Sequence, residues 1–126
     1  MAKSRVAYFS GIGGRAEFMI GQAPPDFEIT LVDPGLSDEE KARLCKDADA
    51  IISSDISTEV LSQCPNVKLI QTLSAGYDRL DLEAILEMGI PVANNGGANA
   101  IAVSEHSIAL MINVGKRMML QWNSTT

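Results

Sequence analysis

The sequence is poor in the features that would take it outside ordinary globular chemistry. Aromatic residues make up 5% of its 126 residues, histidine occurs once, and cysteine occurs only as Cys45 and Cys64. The two cysteines form no C-x-x-C pair and have no companion ligands at metal spacing, so they are read as idle thiols of a cytoplasmic protein. No apolar run approaches the roughly 18 residues that a membrane span needs, and the start, MAKSRVAYFS, has no apolar stretch of a secretory signal. Positive charge is also scarce. Ten Lys and Arg face sixteen Asp and Glu, for a net charge of −6, and the basic residues do not cluster. Binding a phosphate backbone takes a basic face, so the balance argues against a nucleic-acid partner. No nucleophile stands beside a base, no carboxylates are paired at the separation hydrolysis requires, and no metal constellation appears. The residues alone give no catalytic centre and no metal site.

What is present is a rhythm. Apolar runs rich in Val and Ile recur at Arg5 to Phe9, Phe27 to Val32, Ala50 to Ser53, Lys68 to Leu73 and Pro91 to Ala93. Helical signals fill the intervals. Ser37 to Glu40 reads as a capping box, Ser57 and Asp81 read as helix caps, and Gly89 stands where a glycine ends a helix. Alternating strands and helices joined by short loops give βαβ units, and right-handed crossovers then force a parallel sheet. The loops after the strands, SGIGG, SSDIS, SAGYD and NNGGAN, gather on its carboxyl edge. They are rich in Gly, Ser and Asn, which lets backbone N–H groups approach an anion.

The first of these loops poses a question. Gly11, Gly13 and Ala16 spell G-x-G-x-x-A after a strand, and Asp33 closes the next strand about twenty residues on, as in a dinucleotide-binding fingerprint. The helix behind a true fingerprint runs long enough to cover the sheet. Pro24 and Pro25 confine this one to about Arg15 to Gln22, and Gly21 weakens it further. The last segment differs again. From Asn99 to about Asn123, apolar side chains including Ile101, Val103, Ile108, Met111, Val114 and Trp122 cover nearly the whole circumference of a helix. Such a helix demands cover on all sides, from another domain or another copy of the chain.

Three stretches, SAGYDRLDLEA from Ser74, GIPVAN from Gly89 and NAIAVSEHSIALM from Asn99, occur in an order and spacing that closely resemble the D-isomer-specific 2-hydroxyacid dehydrogenases. The resemblance implies a flavodoxin-like α/β substrate lobe over residues 1–98, a five-stranded parallel sheet of order 2-1-3-4-5 with helices on both faces. It implies that residues 99–126 form a long crossover helix leading to a separate cofactor lobe. On this reading the chain is a truncated substrate-binding lobe. Its complete enzyme would pass a hydride between a small 2-hydroxy or 2-keto acid and NAD or NADP. The family's catalytic Arg, Glu and His lie beyond the crossover, so the isolated chain is expected to hold no cofactor and to be inactive.

The resemblance also assigns residues. Ala75 and Gly76 match positions whose backbone N–H groups hold the substrate carboxylate, and Val103 matches a position near the nicotinamide ring; Ser53 and Ser54, from their place at the end of the third strand, either flank the same ligand or bond their own turn. Glu105 and His106 invite reading as a catalytic dyad, but neighbours on a helix point about 100° apart and cannot orient one another. Two alternatives remain open: a stand-alone dinucleotide-binding module built on Gly11 to Ala16, and a structural fragment that persists as a homo-oligomer, a homodimer for instance, paired through its C-terminal helix.

Overall fold

Strand β1, Ser4–Phe9, lies parallel to β2, Phe27–Val32, in a register that sets Ser4 opposite Phe27 and Phe9 opposite Val32. The structure, a computed structural model, describes residues 3–10 and 14–125, with only the backbone of Gly14, Arg15 and Thr125. Gly11, Ile12 and Gly13 of the fingerprint therefore lie outside the described residues. Helix α1 spans Gly14–Gly21. It stops short of Pro24 and Pro25, whose rings lack the N–H that a further turn would need.

Helix α2, Asp38–Cys45, opens with the reciprocal capping box. The Ser37 hydroxyl accepts from the Glu40 N–H at 3.3 Å, and the Glu40 carboxylate accepts from the Ser37 N–H at 3.1 Å. Strand β3 is Ala50–Ile52, and helix α3, Thr58–Ser62, is capped by Ser57, whose hydroxyl accepts from the Val60 N–H. That hydroxyl also donates to Asp38 at 2.7 Å, which joins the starts of α2 and α3. Strand β4, Ile70–Gln71, is short, but its ladder continues on both sides: the Lys68 N–H donates to the Asp49 carbonyl and the Thr72 N–H to the Ala93 carbonyl. Helix α4, Leu82–Glu87, is capped by Asp81 and ends at Gly89, whose φ of 74° is cheap only for glycine. Strand β5, Val92–Ala93, completes an all-parallel sheet of order β2-β1-β3-β4-β5.

Side chains on a strand alternate between faces, so register sorts them into rows. One row, Ala7, Ile51, Ile70 and Val92, runs across β1, β3, β4 and β5. It packs with Ala42 and Cys45 of α2, Val60 and Leu61 of α3, and Ile85 of α4 in one apolar cluster. The opposite row, Tyr8, Ile52, Gln71 and Ala93, stands one residue further along each strand. Within the buried cluster Cys45 and Cys64 are neighbours. Their mutual hydrogen bond and then burial push the Cys45 thiol up, so it stays protonated.

Residues 1–95 form one compact unit and residues 96–126 a second. The second contains two helices where the apolar pattern predicts one. Helix α5, Ala100–Gly115, ends where Arg117 takes a φ of 52°, and α6, Met118–Thr125, follows. Gly115 is a weak helix former, and a single left-handed residue is enough to break the ladder. No residue of α5 is buried, and Ile101, Val114 and Trp122 are 78%, 77% and 67% exposed. Among the described residues no helix is long and apolar enough to cross a membrane.

Candidate functional site

The carboxyl ends of β3 and β4 deliver two buried hydroxyl residues, Ser53 and Thr72, to the sheet edge. Both are occupied in shaping the loops that follow. The Ser53 hydroxyl donates to the Asp55 carbonyl at 2.8 Å and accepts from the Asp55 N–H at 3.1 Å, closing its own turn. The Thr72 hydroxyl donates to the Ser74 carbonyl at 2.7 Å.

The loop after β4 is held almost entirely through its carbonyl oxygens. The Ser74 carbonyl also accepts from the Asn95 N–H at 3.0 Å. The Ala75 carbonyl accepts from the Asn94 side-chain amide at 2.8 Å, and the Gly76 carbonyl accepts from the Ser74 hydroxyl at 2.7 Å. A trans peptide is planar, with its N–H directed opposite to its C=O. Fixing the Ser74 carbonyl toward Thr72 and Asn95 therefore turns the Ala75 N–H the other way. Fixing the Ala75 carbonyl toward Asn94 does the same for the Gly76 N–H. Neither donor is spent on another group among the described residues.

Both residues are exposed. A Cβ at Gly76 would stand 3.1 Å from a carboxylate oxygen of Asp78, close enough that the exposed Asp78 side chain would have to give by a few tenths of an ångström. Ser54 stands beside this loop, its hydroxyl 3.3 Å from that of Ser74. Ser54, Ser74, Gly76, Asp78 and Arg79 line a cavity of about 370 Å³. That lining brings hydroxyls, one carboxylate and one guanidinium together beside the loop.

The sequence-derived site residues thus fall into groups. Ala75, Gly76 and Ser54 come together at this edge, while Ser53 lies beneath it with its hydroxyl spent in the turn. Val103 belongs to the second unit, on α5, and is 53% exposed. Glu105 and His106 lie exposed on the same helix. Sequence reasoning did not single out Thr72, Asn94 or Arg79. The NNGGAN loop drew attention only for its composition, and which carbonyl Asn94 reaches depends on the alignment of β4 with β5. Among the described residues no three His, Cys, Asp or Glu side chains are grouped to hold a metal ion.

The described residues thus form an open, all-parallel α/β sheet with the unspent donors of the β4 loop at its carboxyl edge. The chain belongs to the D-isomer-specific 2-hydroxyacid dehydrogenase family, whose catalytic-domain description matches residues 12–125. It is 37% identical over 101 residues to a putative 2-hydroxyacid dehydrogenase of Haemophilus influenzae, covering 78% of this chain and 32% of that one. It is 33% identical over 90 residues to the D-3-phosphoglycerate dehydrogenase of Archaeoglobus fulgidus, covering 69% of this chain and 17% of that one. Among solved structures, the NAD+-bound 3-phosphoglycerate dehydrogenase of Entamoeba histolytica superposes with a TM-score of 0.70 at 29% identity, over 89% of this chain and 39% of that one. The chain therefore spans about a third or less of the length of these two curated relatives.

Proposed function

We propose that the chain is the substrate-binding lobe of an NAD(P)-dependent D-2-hydroxyacid dehydrogenase. Residues 1–98 serve as the lobe and residues 99–126 as the segment leading to a cofactor-binding lobe. The observation that carries this reading is the pair of unspent N–H groups at Ala75 and Gly76, which suits the carboxylate of a 2-hydroxy or 2-keto acid. Ser54 flanks that carboxylate, and Ser53 supports the loop from beneath. In the complete enzyme the nicotinamide cofactor supplies hydride exchange at substrate C2. The described residues do not fit that cofactor by themselves. Val103 offers an apolar surface to a ring, but a valine answers neither the phosphates nor the riboses of a dinucleotide. This chain is therefore assigned carboxylate binding and orientation, with no catalytic residue, and alone it is expected to be inactive. A cytoplasmic location agrees with two unpaired thiols.

A second property rests on the second unit. Its helices expose Ile101, Val114, Met119 and Trp122 together, and burying each such side chain is worth about 1.5–3 kcal/mol. We infer that in the isolated chain these helices pair between copies, giving a homo-oligomer.

Amide NMR tests the main reading on ¹⁵N-labelled chain titrated with pyruvate and with oxamate. The Ala75 and Gly76 resonances are expected to move first and furthest. Saturable binding that leaves both in place would sink the assignment, and oxidation of NADH by the purified chain would overturn its inactivity.

A further inference from the structure

Among the described residues Arg79 is the one cationic side chain lining the carboxyl-edge cavity, where it stands with Ser54, Ser74, Gly76 and Asp78. Its backbone is fixed on both sides. The Leu80 N–H donates to the Tyr77 carbonyl at 3.0 Å, which closes a turn with Arg79 near its tip. Leu80 is buried in the apolar cluster, and Asp81 caps α4 immediately afterwards. On the other side, the Ser74 hydroxyl holds the Gly76 carbonyl. Arg79 therefore projects from an anchored turn three residues beyond the proposed carboxylate cradle. Its guanidinium forms no ion pair among the described residues, although Asp78 lines the same cavity.

A guanidinium is always charged and matches carboxylate and phosphate oxygens with paired donors. The cradle already supplies two N–H groups for one carboxylate, so a nearby cation left unpaired is available to a second negative group. We propose that Arg79 is a specificity-determining residue that selects 2-hydroxy or 2-keto acids carrying a second anionic group, carboxylate or phosphate, at the end remote from the acid held by Ala75 and Gly76. The proposal rests on the carboxylate-cradle reading above and adds the substrate class. Asp78 lines the same cavity and works against a dianion, so a preference for one has to come from Arg79.

Matched ligand pairs test this on the full chain. D-malate against D-2-hydroxybutyrate isolates the second carboxylate, and 3-phospho-D-glycerate against D-glycerate isolates the phosphate. The two pairs separate the two sources of charge. At least one dianion is expected to bind about tenfold more tightly than its partner, the scale of one charge-assisted contact. Arg79→Gln should bring that ratio close to one, and Arg79→Lys should restore part of it. Arg43→Gln, which removes the same charge from α2, should leave the ratio unchanged. The Ala75 and Gly76 amide shifts are followed throughout. If they respond equally to both members of each pair, or if Arg79→Gln keeps the preference, the Arg79 proposal fails while the cradle stands. If no ligand moves them, both fail.

Discussion

The side-chain amide of Asn94 donates to the Ala75 carbonyl across 2.8 Å, tying the loop after β5 to the loop after β4. This bond helps fix where the Gly76 N–H points, so under the proposed carboxylate reading Asn94 acts on the ligand through a peptide it does not share. Asn94→Asp replaces the donor with a carboxylate facing a carbonyl oxygen. Pyruvate affinity should fall about five- to tenfold, with a stability loss of about 1 kcal/mol. Titration by NMR and urea unfolding measure the two effects.

Gly76→Ala is expected to cost binding more than stability. The added methyl would stand 3.1 Å from the Asp78 carboxylate and beside the N–H proposed to hold the substrate. The loop is exposed, so the thermal midpoint should move little while affinity drops by about tenfold or more. A variant that binds as tightly as the parent would show that Gly76 is dispensable.

Acid stability should fall in a defined window. The Arg5 backbone N–H holds Asp49 below the usual carboxylate range, helped by Lys68. Ser57 does the same for Asp38, and Ser37 for Glu40. Because these groups are depressed in the folded chain, the unfolded chain takes up protons first as pH falls. Their contribution is complete above the unfolded values, near pH 4, and is lost as pH drops through the folded ones. Asp49→Asn should flatten the melting-temperature profile below about pH 4. An unchanged profile would remove Asp49 from this account.

The thiols should be silent in the native state. Cys45 and Cys64 are both buried; the hydrogen bond Cys45 shares with Cys64 and then burial push the Cys45 thiol up, the same bond lowers Cys64, and burial shields both from reagent. Ellman's reagent is expected to label neither residue until denaturant is added, and then both. Rapid labelling of the folded chain would contradict this packing.

Sedimentation should reveal self-association that weakens when a charge enters the exposed apolar helices. Val114→Glu is the direct test, because Val114 lines an apolar cavity with Leu110, Met119 and Leu120. A monomer at all concentrations would exclude pairing through these helices.

Much of the sheet was legible in the sequence because its signals are local. The caps at Ser37, Ser57 and Asp81 and the stop at Gly89 each depend on a few neighbouring residues, and together they delimit the βαβ units, while the strand order came from the family resemblance. The tie from Asn94 to Ala75 spans nineteen positions and depends on how two short strands align, so no periodicity announces it. Ser54 and Ser74 meet for the same long-range reason. The break at Arg117 was hidden differently: apolar residues resume at Met118 directly after it, and only Gly115, Lys116 and Arg117 interrupt the pattern.

The loop after β4 owes its shape to side chains that grip its oxygen atoms, leaving its nitrogen atoms outward before any visitor arrives. An entering anion would meet dipoles already aligned and would have little chain to order. Recognition at such a rigid socket should be quick and carry a small entropic penalty, with selectivity set chiefly by whatever charge the rim presents to the visitor's far end.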